Sequence, residues 1–84
     1  MWFLYVVMCS DGSLYTGITK DVDRRIKEHN SSKKGAKYTR SRRPVKLVYK
    51  RNYHDRSSVS KAEYRFKKLN RKQKQDILTL SEGK

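Results

Sequence analysis

The chain has 84 residues and a formal net charge of +14, from 22 Lys and Arg against 8 Asp and Glu. That length allows a single small domain over 1–84, and no apolar run approaches the roughly 20 residues a membrane span needs. Its one cysteine, Cys9, excludes an intrachain disulfide and a thiolate metal cluster, which fits a reducing, cytoplasmic setting away from any membrane.

The charge is unevenly placed. Residues 1–23 carry Lys20 against Asp11, Asp21 and Asp23, whereas residues 24–74 carry 20 Lys or Arg against Glu28, Asp55 and Glu63. A polyanionic partner, with nucleic acid the first choice, follows from a basic tract of that density. The opening WFLYVVM stretch is too short for a signal peptide and lacks a charged segment before it. Ala, Val, Ile, Leu, Met, Phe, Trp, Cys and Gly together make only 27 of the 84 residues, so the core must be small.

Residues 2–9 are aromatic and β-branched at successive positions, which predicts a strand covered on both faces and therefore central. Ser10-Asp11-Gly12-Ser13 is a hairpin turn signal, and Leu14–Thr19 continues as a second strand. Asp21 caps a helix to about Asn30. Residues 31–43 have no apolar periodicity and read as a solvated basic loop with room for one helical turn. Pro44 closes that loop, and Val45–Tyr53 forms a third strand with Val45, Leu47 and Tyr49 alternating against Lys46, Val48 and Lys50. Ser57 or Ser58 caps a second long helix to about Leu69, and Asn70 can cap a last helix over 71–80. The order ββαβαα predicts an α/β domain of the α+β type: a small three-stranded, antiparallel-biased sheet flanked by helices.

Three groupings carry chemistry. At about 100° per residue, Arg25 and His29 fall on the inward stripe of the first helix beside Val22 and Ile26, while Arg24 points away. Either the inward pair meets buried partners, or it lies at the edge of the stripe with Arg25 bound to Glu28. On the second long helix, Glu63 borders the apolar face of Val59, Ala62, Phe66 and Leu69. It is a candidate metal ligand. Taken alone, an ion pair with Lys67 is the better reading. On the hairpin, a two-residue loop puts Tyr5 and Tyr15 on opposite faces. A three-residue loop with Gly12 as a left-handed bulge puts them on one face, with Gly17 opposite Tyr5; the bulge is favoured.

Taken in order, Phe3-Leu4-Tyr5, Tyr15-Thr16-Gly17, Arg25, His29 and the later Glu63 resemble the GIY-YIG endonuclease superfamily, and its short stand-alone bacterial members in particular. Those members also carry a basic stretch like Gly35–Pro44 before the third strand. The resemblance runs from about residue 2 to 75. The sequence departs from the name-giving motif at Phe3, where the family has Gly, and at Thr16, where it has Ile; neither position supplies a reacting group.

The resemblance implies a metal-dependent DNA endonuclease with Tyr5, Tyr15, Arg25, His29 and Glu63 as catalytic residues and Gly17 as the structural motif glycine. Tyr15 is taken as the general base or its relay, and Glu63 as the ligand of one divalent cation, Mg²⁺ or Mn²⁺. These residue types suit phosphodiester hydrolysis. Arginine holds phosphate oxygens in a fork, and one carboxylate argues for a single metal. A tyrosine base has a reference pKa near 10, and a cleft rich in Lys and Arg favours the phenolate. Lys33, Lys34, Lys37, Arg40, Arg42 and Arg43 are spaced to track a nucleic-acid backbone, with Tyr38 available to stack on a base. No recognition-helix or zinc-finger pattern is present, so cutting is expected at a DNA structure or with little sequence preference, as in DNA repair. The same fold and charge also suit a non-catalytic nucleic-acid-binding module. The minimal size leaves targeting to a protein partner.

Overall fold

The computed structural model describes residues 1–31 and 36–82. Strand β1 (Trp2–Met8) is central, paired antiparallel with β2 (Leu14–Thr19) on one side and β3 (Lys46–Tyr53) on the other. Among the described residues four helices flank this sheet: α1 (Val22–Ser31), the single turn α2 (Lys37–Arg40), α3 (Arg56–Lys68) and α4 (Arg71–Glu82). No helix among the described residues is long and apolar enough to cross a membrane.

A strand covered on both faces needs apolar residues at odd and even positions, and β1 has them. Leu4 and Val6 pack with Val59 and Phe66 of α3 and Leu78 of α4. Tyr5, Val7 and Cys9 pack on the other face with Val22 of α1 and Val45. The hairpin closes through the bulge. Gly12 has φ +84°, Val7 pairs with Tyr15, and Tyr5 pairs with Gly17. Glycine is favoured at that left-handed turn position because it has no Cβ to clash. Cross-strand partners share a face, so both tyrosines point toward α1.

Two expectations are corrected. The strict alternation Val45, Leu47, Tyr49 fails because the β1–β3 register shifts: Val6 faces Tyr49 but Val7 faces Leu47, leaving Val48 as an extra residue. The bulge reverses the phase, so Val45 and Leu47 join the Tyr5 face while Tyr49 joins the α3 face. The cap of α3 is Asp55, whose carboxylate accepts from the Ser58 amide at 2.8 Å, in place of Ser57 or Ser58. The carboxylate also favours the positive end of the helix dipole, an advantage serine lacks. Asp21 and Asn70 do cap their helices, accepting from the amides of Arg24 and Gln73 at 3.1 and 2.8 Å.

Candidate functional site

Tyr5 is the centre of the site, 1% exposed beneath the β1–β2 pair. A buried phenol must find a partner, and its hydroxyl lies 2.8 Å from Nε2 of His29, itself 0% exposed. On the other side of the imidazole, Nδ1 lies 2.9 Å from Oγ1 of Thr39, which is also fully buried. Tyr15 sets the edge of its ring against His29, with centroids 5.3 Å apart. The inward stripe predicted for α1 is therefore real, and the imidazole has its partners.

The short α2 is held down on this cluster. Tyr38 stacks on Tyr15 at 5.8 Å, and the Arg42 guanidinium lies 4.2 Å from the Tyr38 ring centre. Arg42 also bonds Asp11 of the hairpin turn at 3.1 Å and the Tyr38 carbonyl at 2.8 Å. Arg43 donates to the His29 and Glu28 carbonyls at the C-terminal end of α1, where a cation is favoured. Asn30 fastens α1 to the start of β3 by a pair of bonds with the Val45 backbone, 2.7 and 3.1 Å long.

Arg25 is half-buried, with its guanidinium 3.1 Å from Glu28, and its charge acts on the Tyr5 hydroxyl. Arg24 turns outward, its side chain 69% exposed, and reaches the same Glu28 at 3.5 Å. Glu63 borders the core of α3 and forms the ion pair with Lys67 at 3.4 Å. Its charge nevertheless acts on Tyr5, as does that of Arg25.

Of the basic tract, Lys37, Tyr38 and Arg40 are exposed, while Arg42 and Arg43 spend hydrogen bonds inside the chain. Lys33 and Lys34 lie outside the described residues. Thr39 has no signal in the sequence. It sits in a polar tract that reads as solvated loop, and only folding of the helical turn carries it onto His29.

Burial governs the electrostatics. It pushes the Tyr5 hydroxyl up to about 12 against the pull of Arg25, so Tyr5 stays neutral near pH 7. Burial opposes the charge of Arg25, but the Tyr5 hydroxyl and Glu28 outweigh it and its pKa is raised. Burial, with the charges of Arg25 and Arg43 against that of Glu28, pushes His29 down to about 4. The unfolded chain then takes up this proton first, so His29 contributes stability that is complete above about pH 6.5 and is lost as pH falls toward 4. That window corresponds to about 3 kcal/mol. Urea unfolding at pH 7.5 and pH 4.5 should show the loss, and His29→Gln should flatten it. The lowered carboxylates of Asp11 and Asp55 act below that window.

Comparison with known proteins gives the same picture. The family model described as the GIY-YIG catalytic domain matches residues 1–76. The chain is 58% identical over 81 residues to the UPF0213 protein DP2720 of Desulfotalea psychrophila, covering 96% of this chain and 74% of that protein. It is 53% identical over 78 residues to a UPF0213 protein of Bacillus cereus, covering 93% and 80%. Two solution NMR structures are similar, each at 46% identity. The UPF0213 protein BH0048 of Bacillus halodurans has a TM-score of 0.62, with 95% of this chain and 85% of that chain covered. The protein EF2693 of E. faecalis has a TM-score of 0.65, covering 98% and 86%. The GIY-YIG domain implies nuclease-type activity on nucleic acid, and nucleases of this kind generally use a divalent metal. A match that begins in β1 and runs past every residue of the Tyr5 cluster leaves one assignment: the chain belongs to the GIY-YIG family.

Proposed function

We propose that this chain, acting as one catalytic unit over 1–84, is a metal-dependent endonuclease that hydrolyses phosphodiester bonds in DNA, at a structural feature or with little sequence preference. The observation that carries the reading is the contact of buried Tyr5 with His29, against which Tyr15 also packs, with Arg25 half-buried one turn away on the same helix as His29. A fold kept only for its charge has no use for that arrangement.

Arg25 binds the scissile phosphate. Its raised pKa keeps it charged, and its planar fork suits phosphate oxygens while Glu28 holds Nη1 at 3.1 Å. Tyr15, half-buried at the rim, acts as a proton relay: its hydroxyl oxygen accepts a proton from the attacking water while its own hydroxyl proton passes to solvent, as the water oxygen bonds phosphorus. The ester P–O bond then breaks, and the leaving oxygen is protonated from solvent. Tyr5 and His29 stand behind these groups and fix them. The exposed Lys37, Tyr38 and Arg40 extend the surface that holds the strand, with Lys33 and Lys34 assigned to the same tract.

The donor set fits a hard, well-hydrated cation. Glu63 offers one half-buried carboxylate, and among the described residues no three His, Cys, Asp or Glu side chains gather as a ligand cluster. Mg²⁺ is commonly bound by one or two carboxylates together with waters and phosphate oxygens, and Mn²⁺ accepts similar ligands. Held on Glu63, such an ion supplies Lewis-acid stabilisation of charge on the phosphate. Lys67, 3.4 Å from the same carboxylate, is its competitor in the free protein.

The test is incubation with branched, flapped, nicked and linear DNA, and with RNA, in Mg²⁺ and in Mn²⁺, beside Glu63→Ala. Cleavage of at least one DNA by the wild type, lowered about 100-fold or more in the variant, is expected. Binding of every substrate with no cleavage would make the protein a nucleic-acid-binding module. Undiminished cleavage by Glu63→Ala would remove Glu63 from the site.

A further inference from the structure

His29 lies between two hydroxyls, and the position of its single ring proton decides what each can do. With the proton on Nε2, the imidazole donates to the Tyr5 oxygen. With the proton on Nδ1, Nε2 is an acceptor. The two forms are not equivalent for Arg25, which has only donors to offer the same Tyr5 oxygen.

We infer that Thr39 is a positioning residue: its hydroxyl holds the His29 proton on Nδ1, so that Nε2 accepts from Tyr5 and the Tyr5 oxygen keeps its lone pairs for the Arg25 charge that acts on it. This deepens, and rests on, the reading of Arg25 as the phosphate-binding residue.

Hydrogen-bond direction carries the inference. The Thr39 hydroxyl lies 3.0 Å from the Ala36 carbonyl and donates to it. Having one proton, it can then only accept at its 2.9 Å contact with Nδ1. Nδ1 is thereby the donor and Nε2 the acceptor, 2.8 Å from the Tyr5 hydroxyl. A neutral, buried tyrosine needs an acceptor for its own proton, and Nε2 is the one the fold presents. Every proton in the run Tyr5, His29, Thr39, Ala36 then points the same way. Among the described residues no buried side-chain nitrogen or oxygen is left without a partner.

The opposite form has one contact in its favour. The Ala36 amide lies 3.4 Å from Nδ1 and could donate to a bare nitrogen there. It is half an ångström longer than the Thr39 contact. That form would also aim the Nε2 proton at the Tyr5 oxygen and leave the Tyr5 proton facing the Arg25 donors. Thr39 is what tips the choice. With valine in its place, the Nδ1 proton loses its acceptor, the Ala36 amide becomes the remaining partner, and the ring proton moves to Nε2.

The experiment reads the ring directly. ¹⁵N-histidine-labelled protein carrying His54→Gln, which leaves His29 as the one histidine, is recorded by long-range ¹H–¹⁵N correlation at pH 7. The proton is expected on Nδ1 in that protein and with Thr39→Ser added, and on Nε2 with Thr39→Val added. Thr39→Val should lower single-turnover cleavage roughly tenfold, as loss of one well-made hydrogen bond does, and Thr39→Ser should restore it. A proton already on Nε2 with Thr39 present overturns the inference, and that spectrum needs no substitution at Thr39. A proton that stays on Nδ1 in a folded Thr39→Val protein overturns it equally. A wild type that cuts nothing defeats the nuclease reading alone, and the ring proton still decides the role of Thr39.

Discussion

Replacing Gly17 by alanine is expected to cost about 1–3 kcal/mol of stability and to reduce cleavage at least 100-fold. A Cβ built at Gly17 falls 2.5 Å from the Tyr5 hydroxyl oxygen, 2.7 Å from Cζ and 2.9 Å from Cε1. Real carbon atoms do not approach so closely, so the ring or the strand must move. Tyr5 has nowhere to go, because its ring is buried and its hydroxyl is tied to His29. Displacing it breaks the His29 contact and moves the oxygen on which the Arg25 charge acts. The glycine thus serves close approach between β2 and the ring, in an ordinary strand conformation, whereas Gly12 serves a left-handed turn. Urea unfolding and single-turnover cleavage measure the two effects. The double variant Tyr5→Phe, Gly17→Ala should regain little stability, since the ring carbons collide as well as the oxygen. A fully stable, fully active Gly17→Ala would show that Tyr5 is not held as described.

The second large effect belongs to Arg25. Arg25→Ala should reduce cleavage on the order of 100- to 1,000-fold, the usual cost of removing a donor aimed at developing negative charge. Arg25→Lys should recover little, because an ammonium cannot span two phosphate oxygens while also meeting Glu28. Stability should change by no more than about 1 kcal/mol, since the pair with Glu28 is partly solvated and Arg24 reaches the same carboxylate. Binding at low salt should be nearly unchanged, because one of 22 basic side chains is removed. Rate falls while affinity holds: that contrast separates a phosphate-positioning arginine from one more charge in a basic field. Arg24→Ala, one residue away on the solvent side, is the control and should leave the rate unaltered. Near-normal cleavage by Arg25→Lys would mean that charge alone suffices at this position.

Much of this molecule can be read from the order of its residues, for physical reasons that are local. Strand β1 declares itself because apolar side chains at both odd and even positions demand cover on both faces. The hairpin register follows from Gly12, and with it the common face of Tyr5 and Tyr15. The inward Arg25 and His29 follow from helical period, as does the outward Arg24. Local signals also mislead where two elements share information. Val48 looks like one step of an alternation, and only its pairing partner on β1 shows it to be the extra residue of a bulge. Asp55 looks like loop, yet it supplies the cap that Ser57 and Ser58 seemed to offer.

By itself, then, the sequence determined the ββαβαα order, the basic tract that begins at Arg24, and the set of polar residues turned toward the core. Tertiary structure decided what those residues do. A charge of +14 acts over long distances and needs no fold to be recognised, but a hydrogen bond exists only at close range and in one direction. The site therefore depends on contacts between residues far apart in the chain: Tyr5 with His29, His29 with Thr39, and Arg42 with Asp11. Thr39 is the clearest case. A threonine in a basic loop carries no mark of its role until a four-residue helical turn places it against a buried imidazole.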